Sequence, residues 1–110
     1  MDEQAVGPDL VLSVDVEQTR AVVAVRGELD AYSAPRLEAE ISKLLREPID
    51  AVVLDLSETG FLDSSGLRAI LSAHRRLTES DRQLRLRAPS EPVTRLLEIT
   101  GLTDHFTVEK

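Results

Sequence analysis

The sequence of 110 residues contains no cysteine, and only 3% of its residues are aromatic. The absence of cysteine excludes disulfides, thiolate nucleophiles and cysteine metal clusters. His74 and His105 are the only histidines, and they cannot build a zinc site on their own. Purely apolar runs are all short, so no segment is predicted to span a membrane. The acidic start at residues 1–3 differs from a secretory signal, and we expect a cytoplasmic protein.

Positive charge is scarce, because the sequence has 13 Lys and Arg residues but 20 Asp and Glu residues, which gives a net charge of -7. This balance argues against a general nucleic-acid binder, which needs a basic face, and favours protein partners. The hydrophobic content of 42% and charged content of 30% are those of a globular domain. We expect residues 1–8 to form a flexible tail and residues 9–110 to form one domain.

Strand patterns occur at five places in the chain. Apolar and polar residues alternate over residues 10–17, and the apolar residues 21–25 follow closely, which predicts a hairpin that ends at Gly27. The nearly unbroken apolar run within residues 49–56 predicts a central strand covered on both faces. Residues 84–87 form a short alternating strand, and residues 106–108 are expected to add an edge strand.

Helical patterns lie between these strands. Ser33 can cap a first helix with Pro35 in its first turn, and Pro48 is expected to end it. An amphipathic second helix follows residues 61–67. A third helix over residues 91–100 is expected to close at Gly101 in the left-handed conformation. The order predicts an α/β fold with a mixed, mostly parallel sheet of four to five strands, opened by an N-terminal hairpin, and three to four helices.

Two polar segments follow strands of this predicted sheet, residues 27–30 (GELD) and residues 63–66 (DSSG). Ligands and partners of open α/β sheets gather where strands end at their carboxyl edge, so the two segments are expected to be neighbours. Asp63 and Ser64 can be ordinary helix caps. They can equally form a recognition site, because Phe61 and Leu62 place apolar surface beside the Ser64 hydroxyl. The residues alone leave both interpretations open.

Enzymatic interpretations are weak. A serine hydrolase needs a base within hydrogen-bond reach of its nucleophile, and His74 lies about 15 Å along the helix from Ser64. A metal site built from Asp30, Asp55 and Asp63 competes with ordinary capping and turn roles for each carboxylate. A Walker-type phosphate loop is absent from the sequence. We therefore predict a protein that is not an enzyme and has no metal or cofactor.

Four segments together resemble a STAS domain of the anti-sigma factor antagonist family: residues 27–30 (GELD), 53–56 (VLDL), 61–67 (FLDSSGL) and 96–102 (LLEITGL). The resemblance covers roughly residues 10–106. It implies a partner switch, in which the unphosphorylated protein binds an anti-sigma factor that is also a serine kinase and so releases a sigma factor. Phosphorylation reverses this binding, and a PP2C-type phosphatase removes the phosphate. The ATP and magnesium belong to the kinase.

The resemblance also assigns site residues. The phosphorylated residue is the serine directly after the aspartate, Ser64, and Ser65 is the weaker candidate. Family members often end with a further helix, whereas this chain stops at Lys110. The alternative is a STAS module that binds a small ligand or a non-kinase partner in a sensor assembly or transporter tail. A monomer is favoured. The residues assigned to the kinase or partner surface are Glu28, Asp30, Phe61, Asp63, Ser65, Gly66 and Leu67.

Overall fold

The computed structural model describes residues 10–109. The predicted tail, residues 1–8, and the end positions 9 and 110 of the predicted domain lie outside the described residues. The α/β class is confirmed, but the sheet has six strands rather than four or five. The elements in chain order are β1 (Leu10–Glu17), β2 (Arg20–Leu29), α1 (Ala34–Leu44), β3 (Ala51–Asp55), β4 (Thr59–Leu62), α2 (Ser64–Glu79), β5 (Gln83–Arg87), α3 (Glu91–Thr100) and β6 (Thr107–Glu109).

The main sheet has the strand order β1-β2-β3-β5-β6, and β4 pairs with β2 off this path. The predicted hairpin is confirmed, since β1 and β2 pair antiparallel around Gln18 and Thr19, and Gln18 is left-handed with φ 59°. The predicted end at Gly27 is wrong for β2, which continues to Leu29 because it pairs there with β4. The other pairs are parallel. The strand β3 is central, as predicted, and β6 lies at an edge. The sheet therefore presents the carboxyl ends of its parallel strands along one side.

One hydrophobic core joins the buried faces of the three helices to alternate residues of the strands. Val52 and Leu54 of β3 belong to this core, whereas Val53 is buried outside it because its side chain points to the opposite face. The prediction that β3 is covered on both faces is thereby confirmed. The core fixes the helices on the sheet and so positions the helix starts at its carboxyl edge.

The alternating pattern of β1 does not correspond to full burial. Leu10 is buried, but Val14 is 39% exposed and Val16 is 54% exposed. The reason is that β1 is an edge strand whose only strand partner within residues 10–109 is β2. An edge strand extends past the area that helices cover, so an apolar side chain on its inner face is not necessarily enclosed.

The predicted end of α1 is wrong, and the predicted end of α3 is confirmed. The helix α1 stops at Leu44 with Leu45 as its C-cap, so Pro48 does not end it and instead follows a turn. The helix α3 ends as predicted, with Gly101 left-handed at φ 73°. The amide of Leu102 donates to the carbonyl of Leu97 at 2.8 Å, which is the expected Schellman bond.

The strand β4 has no counterpart in the sequence-based prediction. Its four residues include Gly60 and show no alternating pattern, with only the outer two, Thr59 and Leu62, buried. The pairing with β2 is parallel and joins Glu28 to Phe61, after a β-bulge that follows Gly27. Tertiary pairing therefore makes a strand out of a segment that reads as a loop.

Candidate functional site

The two polar segments of the sequence meet at the carboxyl edge of the sheet. Because β2 and β4 run parallel and Leu29 pairs with Leu62, both strands end side by side at the carboxyl edge of the sheet. The amide of Asp63 donates to the carbonyl oxygen of Leu29 at 3.4 Å, which links the two segments directly. The prediction that residues 27–30 and 63–66 are neighbours is confirmed.

The first segment forms the end of β2, and a turn held by Asp30 follows it. The Oδ1 atom of Asp30 accepts hydrogen bonds from the amides of Tyr32 and Ser33, each at 3.0 Å. Ser33 is buried, and its Oγ donates to the carbonyl of Glu28 at 2.8 Å and accepts from the amide of Asp30 at 3.0 Å. Ser33 occupies the N-cap position of α1, but its side chain makes no capping bond. The prediction of a Ser33 side-chain cap is wrong, because this hydroxyl bonds back into the turn.

The hydrogen bonds around Asp30 keep its carboxylate ionised. The backbone amide of Ser33 is the main cause that lowers the pKa of Asp30 below its ordinary value, and partial desolvation opposes this effect. The Ser33 hydroxyl and the Tyr32 amide lower the pKa further. This side of the site therefore carries a negative charge that hydrogen bonds to Oδ1 of Asp30 hold in place.

The second segment starts α2, and its cap is Asp63. This residue is the N-cap in an extended conformation, and its Oδ1 accepts from the amide of Gly66 at 2.9 Å. Ser64 is the first helical residue and is exposed. Among the described residues, its hydroxyl makes no hydrogen bond. Of the two residues that can act as caps, Asp63 takes this role and Ser64 remains free.

Gly66 and Leu67 are both buried, so they lie beneath the site rather than on its surface. A Cβ atom on Gly66 would overlap the carbonyl oxygen of Leu29 and lie 2.7 Å from Leu62 Cδ1. Glycine therefore lets the first turn of α2 approach the end of β2. The sequence predicts Gly66 and Leu67 as partner contacts; in the structure both are buried, and they support the site from beneath its surface.

Two aromatic side chains stand on that surface. Phe61 is 47% exposed and pairs across β2 and β4 with the exposed Glu28. Tyr32, in the turn held by Asp30, is 89% exposed. The sequence-based prediction missed Tyr32. A signal for it existed, since the chain contains one Tyr and two Phe, and an aromatic residue in a polar turn is unusual in such a sequence.

A groove of about 390 Å³ continues this surface from β4 to α3. Its apolar walls include Phe61 and Ile99, and Ile99 is 73% exposed. Glu91 and Arg95 form an ion pair at 3.3 Å at its side. The lining residues are Phe61, Leu62, Glu91, Pro92, Arg95, Leu96 and Ile99.

The histidines are gathered elsewhere. His74 is half-buried, and its ring centroid lies 5.0 Å from that of His105 and 5.5 Å from that of Phe106. Burial is the main cause that lowers the pKa of His74, and His105 adds to the effect. This cluster is a packing contact between α2 and the segment before β6.

The acidic residues form no metal cage in the part of the chain that the structure describes, where no group of three or more His, Asp or Glu side chains fits an ion. Asp55 accepts from the amide of Ser57 at 3.0 Å, which is the ordinary turn role expected for this carboxylate. Within residues 10–109, the helices are too short or too polar to cross a membrane.

Comparison with known proteins identifies the family. The family model of the STAS domain matches residues 12–110. The chain belongs to the STAS domain family. An anti-sigma-B factor antagonist of Staphylococcus aureus is 33% identical to this STAS domain over 88 residues, which make up 80% of this chain and 82% of the relative. The family resemblance seen in the sequence is therefore confirmed.

Solved structures agree with this assignment. An anti-sigma factor antagonist from Mycobacterium paratuberculosis has 29% identity and a TM-score of 0.82 over 93% of this STAS domain and 87% of its own chain. The Bacillus protein SpoIIAA has been solved in unphosphorylated and phosphorylated forms. Both are 22% identical and cover 91% of this chain, with 89% and 92% of their own chains and TM-scores of 0.77 and 0.71. They share the fold.

Proposed function

We propose that this STAS domain is an anti-sigma factor antagonist that works by partner switching in the cytoplasm. Its unphosphorylated form binds an anti-sigma factor that is also a serine kinase, and this binding releases a sigma factor. The kinase transfers the γ-phosphoryl group of ATP to Ser64 Oγ, which loses its proton, and the complex separates. A PP2C-type phosphatase restores the hydroxyl. This chain supplies a substrate side chain and performs no chemistry of its own.

The observation that carries this proposal is the hydroxyl of Ser64, which makes no hydrogen bond within residues 10–109. It is exposed at the first position of α2, and its neighbour Asp63 already provides the helix cap. A kinase can therefore modify Ser64 without breaking a bond that the fold needs. The first turn of a helix also favours an added negative charge, because its free amides point toward it.

The surroundings of Ser64 explain how a phosphate would switch binding. A phosphoserine carries a charge of about -1.5 to -2 at neutral pH. It would stand beside the carboxylate of Asp63, in a protein whose net charge is already -7. Because Ser64 lies outside the core, the added charge changes the surface and leaves the packing intact. Repulsion from an acidic partner surface, together with steric conflict, then weakens the complex.

Relatives support the same role. The matched proteins of Staphylococcus aureus and Mycobacterium paratuberculosis are described as anti-sigma factor antagonists. A protein that shares the fold, SpoIIAA, exists in a phosphorylated form. We assign partner contacts to the exposed Glu28, Tyr32 and Phe61 and to the partly exposed Asp30, Asp63 and Ser65. We assign a positioning role to Gly66 and Leu67.

Phosphorylation in vitro tests the assignment of Ser64. The protein is mixed with its cognate anti-sigma kinase and ATP, and the added phosphate is mapped by mass spectrometry. We expect one phosphate on Ser64, none on the Ser64→Ala variant, and a phosphate that still maps to Ser64 in the Ser65→Ala variant. A wild-type protein that acquires its phosphate elsewhere, or acquires none, contradicts the proposal.

Calorimetry of kinase binding tests the switch itself. Ser64→Glu places a negative charge at the site, and we expect it to weaken binding by about tenfold or more, which equals about 1.4 kcal/mol. Ser64→Ala adds no charge at position 64 and should bind with a free energy within about 0.5 kcal/mol of the wild type. Equal affinities for the wild type and Ser64→Glu would show that this serine lies outside the interface.

The groove beside Phe61 favours a second candidate function, a STAS module that binds a small apolar ligand. Its volume of about 390 Å³ lies at the lower end of small-molecule pockets. The test is a thermal-shift screen of apolar metabolites against the wild type and Ile99→Asp. A compound that stabilises the wild type alone, in a protein that no anti-sigma kinase binds, would support this candidate over the partner switch.

A further inference from the structure

Arg68 lies one helical turn after Ser64 on the exposed side of α2. Most arginines of the described chain have defined partners. Arg20 and Arg87 donate to Glu109, and Arg76 donates to Ser42. Arg68, in contrast, makes no ion pair or side-chain hydrogen bond within residues 10–109. Its guanidinium is therefore available to a new anion nearby.

The helix geometry places Arg68 on the same face of α2 as Ser64. Residues four apart lie on the same face of an α-helix, with Cβ atoms about 5–6 Å apart. An acid that precedes a base by four residues has the more favourable orientation for pairing, because it also suits the helix dipole. A phosphate on Ser64 would be such an acid. Among the side chains of α2, Arg68 is the base at this spacing.

We propose that Arg68 is the intramolecular partner of the phosphate on Ser64, an inference that rests on the proposed phosphorylation of this residue. The planar guanidinium donates two parallel hydrogen bonds to phosphate oxygens, a geometry that a lysine cannot reproduce. The cap carboxylate of Asp63 already accepts from the Gly66 amide, and it carries less charge than a phosphate dianion. Arg68 therefore pairs with the phosphate in preference to Asp63.

This pairing shapes the phosphorylated state. The guanidinium neutralises part of the phosphate charge and holds the group along the helix surface, so a partner meets an ordered phosphate rather than a mobile one. It also favours the doubly charged form of the phosphate over the singly charged form. The pKa of the second ionisation, ordinarily about 6, should therefore be lowered in this protein.

The experiment uses protein in which phosphoserine is inserted at position 64 during translation, so it needs no kinase. The pKa of the phosphate is measured by ³¹P NMR between pH 4 and pH 8 in low salt. We expect the wild type to titrate about 0.3 pH unit or more below Arg68→Gln. The difference should shrink at about 1 M salt, where charges on the surface are screened.

Arg75→Gln is the matched control, because Arg75 is also exposed on α2 but lies three turns from Ser64. It should titrate like the wild type, and Arg68→Lys should recover only part of the shift. Equal pKa values for wild type and Arg68→Gln overturn the proposal, as does an equal shift in Arg75→Gln. A kinase that ignores Ser64 would overturn the proposed function but leave this titration unaffected, so the two failures are distinguishable.

Discussion

The helices α1 and α2 start at the same edge of the sheet, and each start contains an aspartate and a serine. At α1, Asp30 forms the turn, and Ser33 is buried with its hydroxyl bonded to the Glu28 carbonyl. At α2, Asp63 caps the helix and Ser64 is left exposed without a bond among the described residues. Similar residue types therefore have different surroundings, since Ser33 is buried and bonded into the turn and Ser64 is exposed.

The difference shows what makes a serine available for modification. The backbone amide of Ser33 donates a hydrogen bond to the carboxylate of Asp30. The amide that donates to the carboxylate of Asp63 belongs to Gly66 and not to Ser64. A hydroxyl is free when its neighbours satisfy the helix end without it. The following variants test how far the two helix starts differ.

The largest expected effect is that of Gly66→Ala, because the first turn of α2 packs against Leu29. The new methyl group would overlap the Leu29 carbonyl, which belongs to the backbone and cannot easily move. We expect a loss of about 3 kcal/mol in the free energy of unfolding, measured by urea denaturation. Gly60→Ala is the matched control, since its nearest atom would be 3.9 Å away. Equal losses in both variants would contradict the close approach.

The next largest effect separates the two serines. Ser33→Ala removes a buried hydroxyl and leaves the Glu28 carbonyl and the Asp30 amide without their partner. We expect a loss of about 2 kcal/mol in the free energy of unfolding. Ser64→Ala removes an exposed, unbonded hydroxyl and should change stability by less than about 0.5 kcal/mol. Chemical denaturation measures the free energy of unfolding of both variants. Similar losses in the two would contradict the difference between the serines.

A smaller effect is expected at the cap of α2. Asp63→Ala deletes the acceptor for the Gly66 amide and should cost about 1 kcal/mol of stability. Asp63→Asn retains an acceptor oxygen and should lose less. Asp15→Ala, at an exposed position of β1, serves as the control and should be nearly neutral. If thermal unfolding of Asp63→Ala matched that of Asp15→Ala, Asp63 would not be the cap.

The smallest effect concerns pH at the turn before α1. Hydrogen bonds lower the pKa of Asp30 in the folded state, so its ionisation stabilises the fold above the ordinary aspartate pKa of about 3.9. This contribution is lost as the pH falls through the lower, folded value. The stability advantage of the wild type over Asp30→Asn should therefore shrink between about pH 4 and pH 2. Denaturation curves of both proteins at the two pH values measure this difference in stability. A difference that stays constant would contradict the lowered pKa of Asp30.

Sequence patterns predicted much of the fold because most of it is encoded locally. The hairpin, the central strand β3 and the end of α3 at Gly101 each follow from periodicity or turn chemistry within a few residues. The prediction failed where distant contacts decide. The strand β4 exists because β2 lies beside it, and Val16 is exposed because β1 has no neighbour on its far side within residues 10–109.

The site shows the same division. The sequence alone placed an aspartate and a serine at the start of a helix and led to the expectation that a second acidic loop lies nearby. The family resemblance added phosphorylation. Neither source decided which residue is the cap, and Tyr32 was missed because its exposure depends on how the turn around Asp30 folds.

The amino-acid sequence by itself therefore determined the types and order of the elements and the position of Ser64 at the start of α2. The tertiary structure decided how the start of α2 is held against the sheet. It did so by pairing β4 with β2, which brings the Leu29 carbonyl against the Asp63 amide and the first turn of α2, where only Gly66 fits. Periodicity is a local property of the chain, whereas a hydrogen-bond partner more than thirty residues away is fixed only when the sheet assembles.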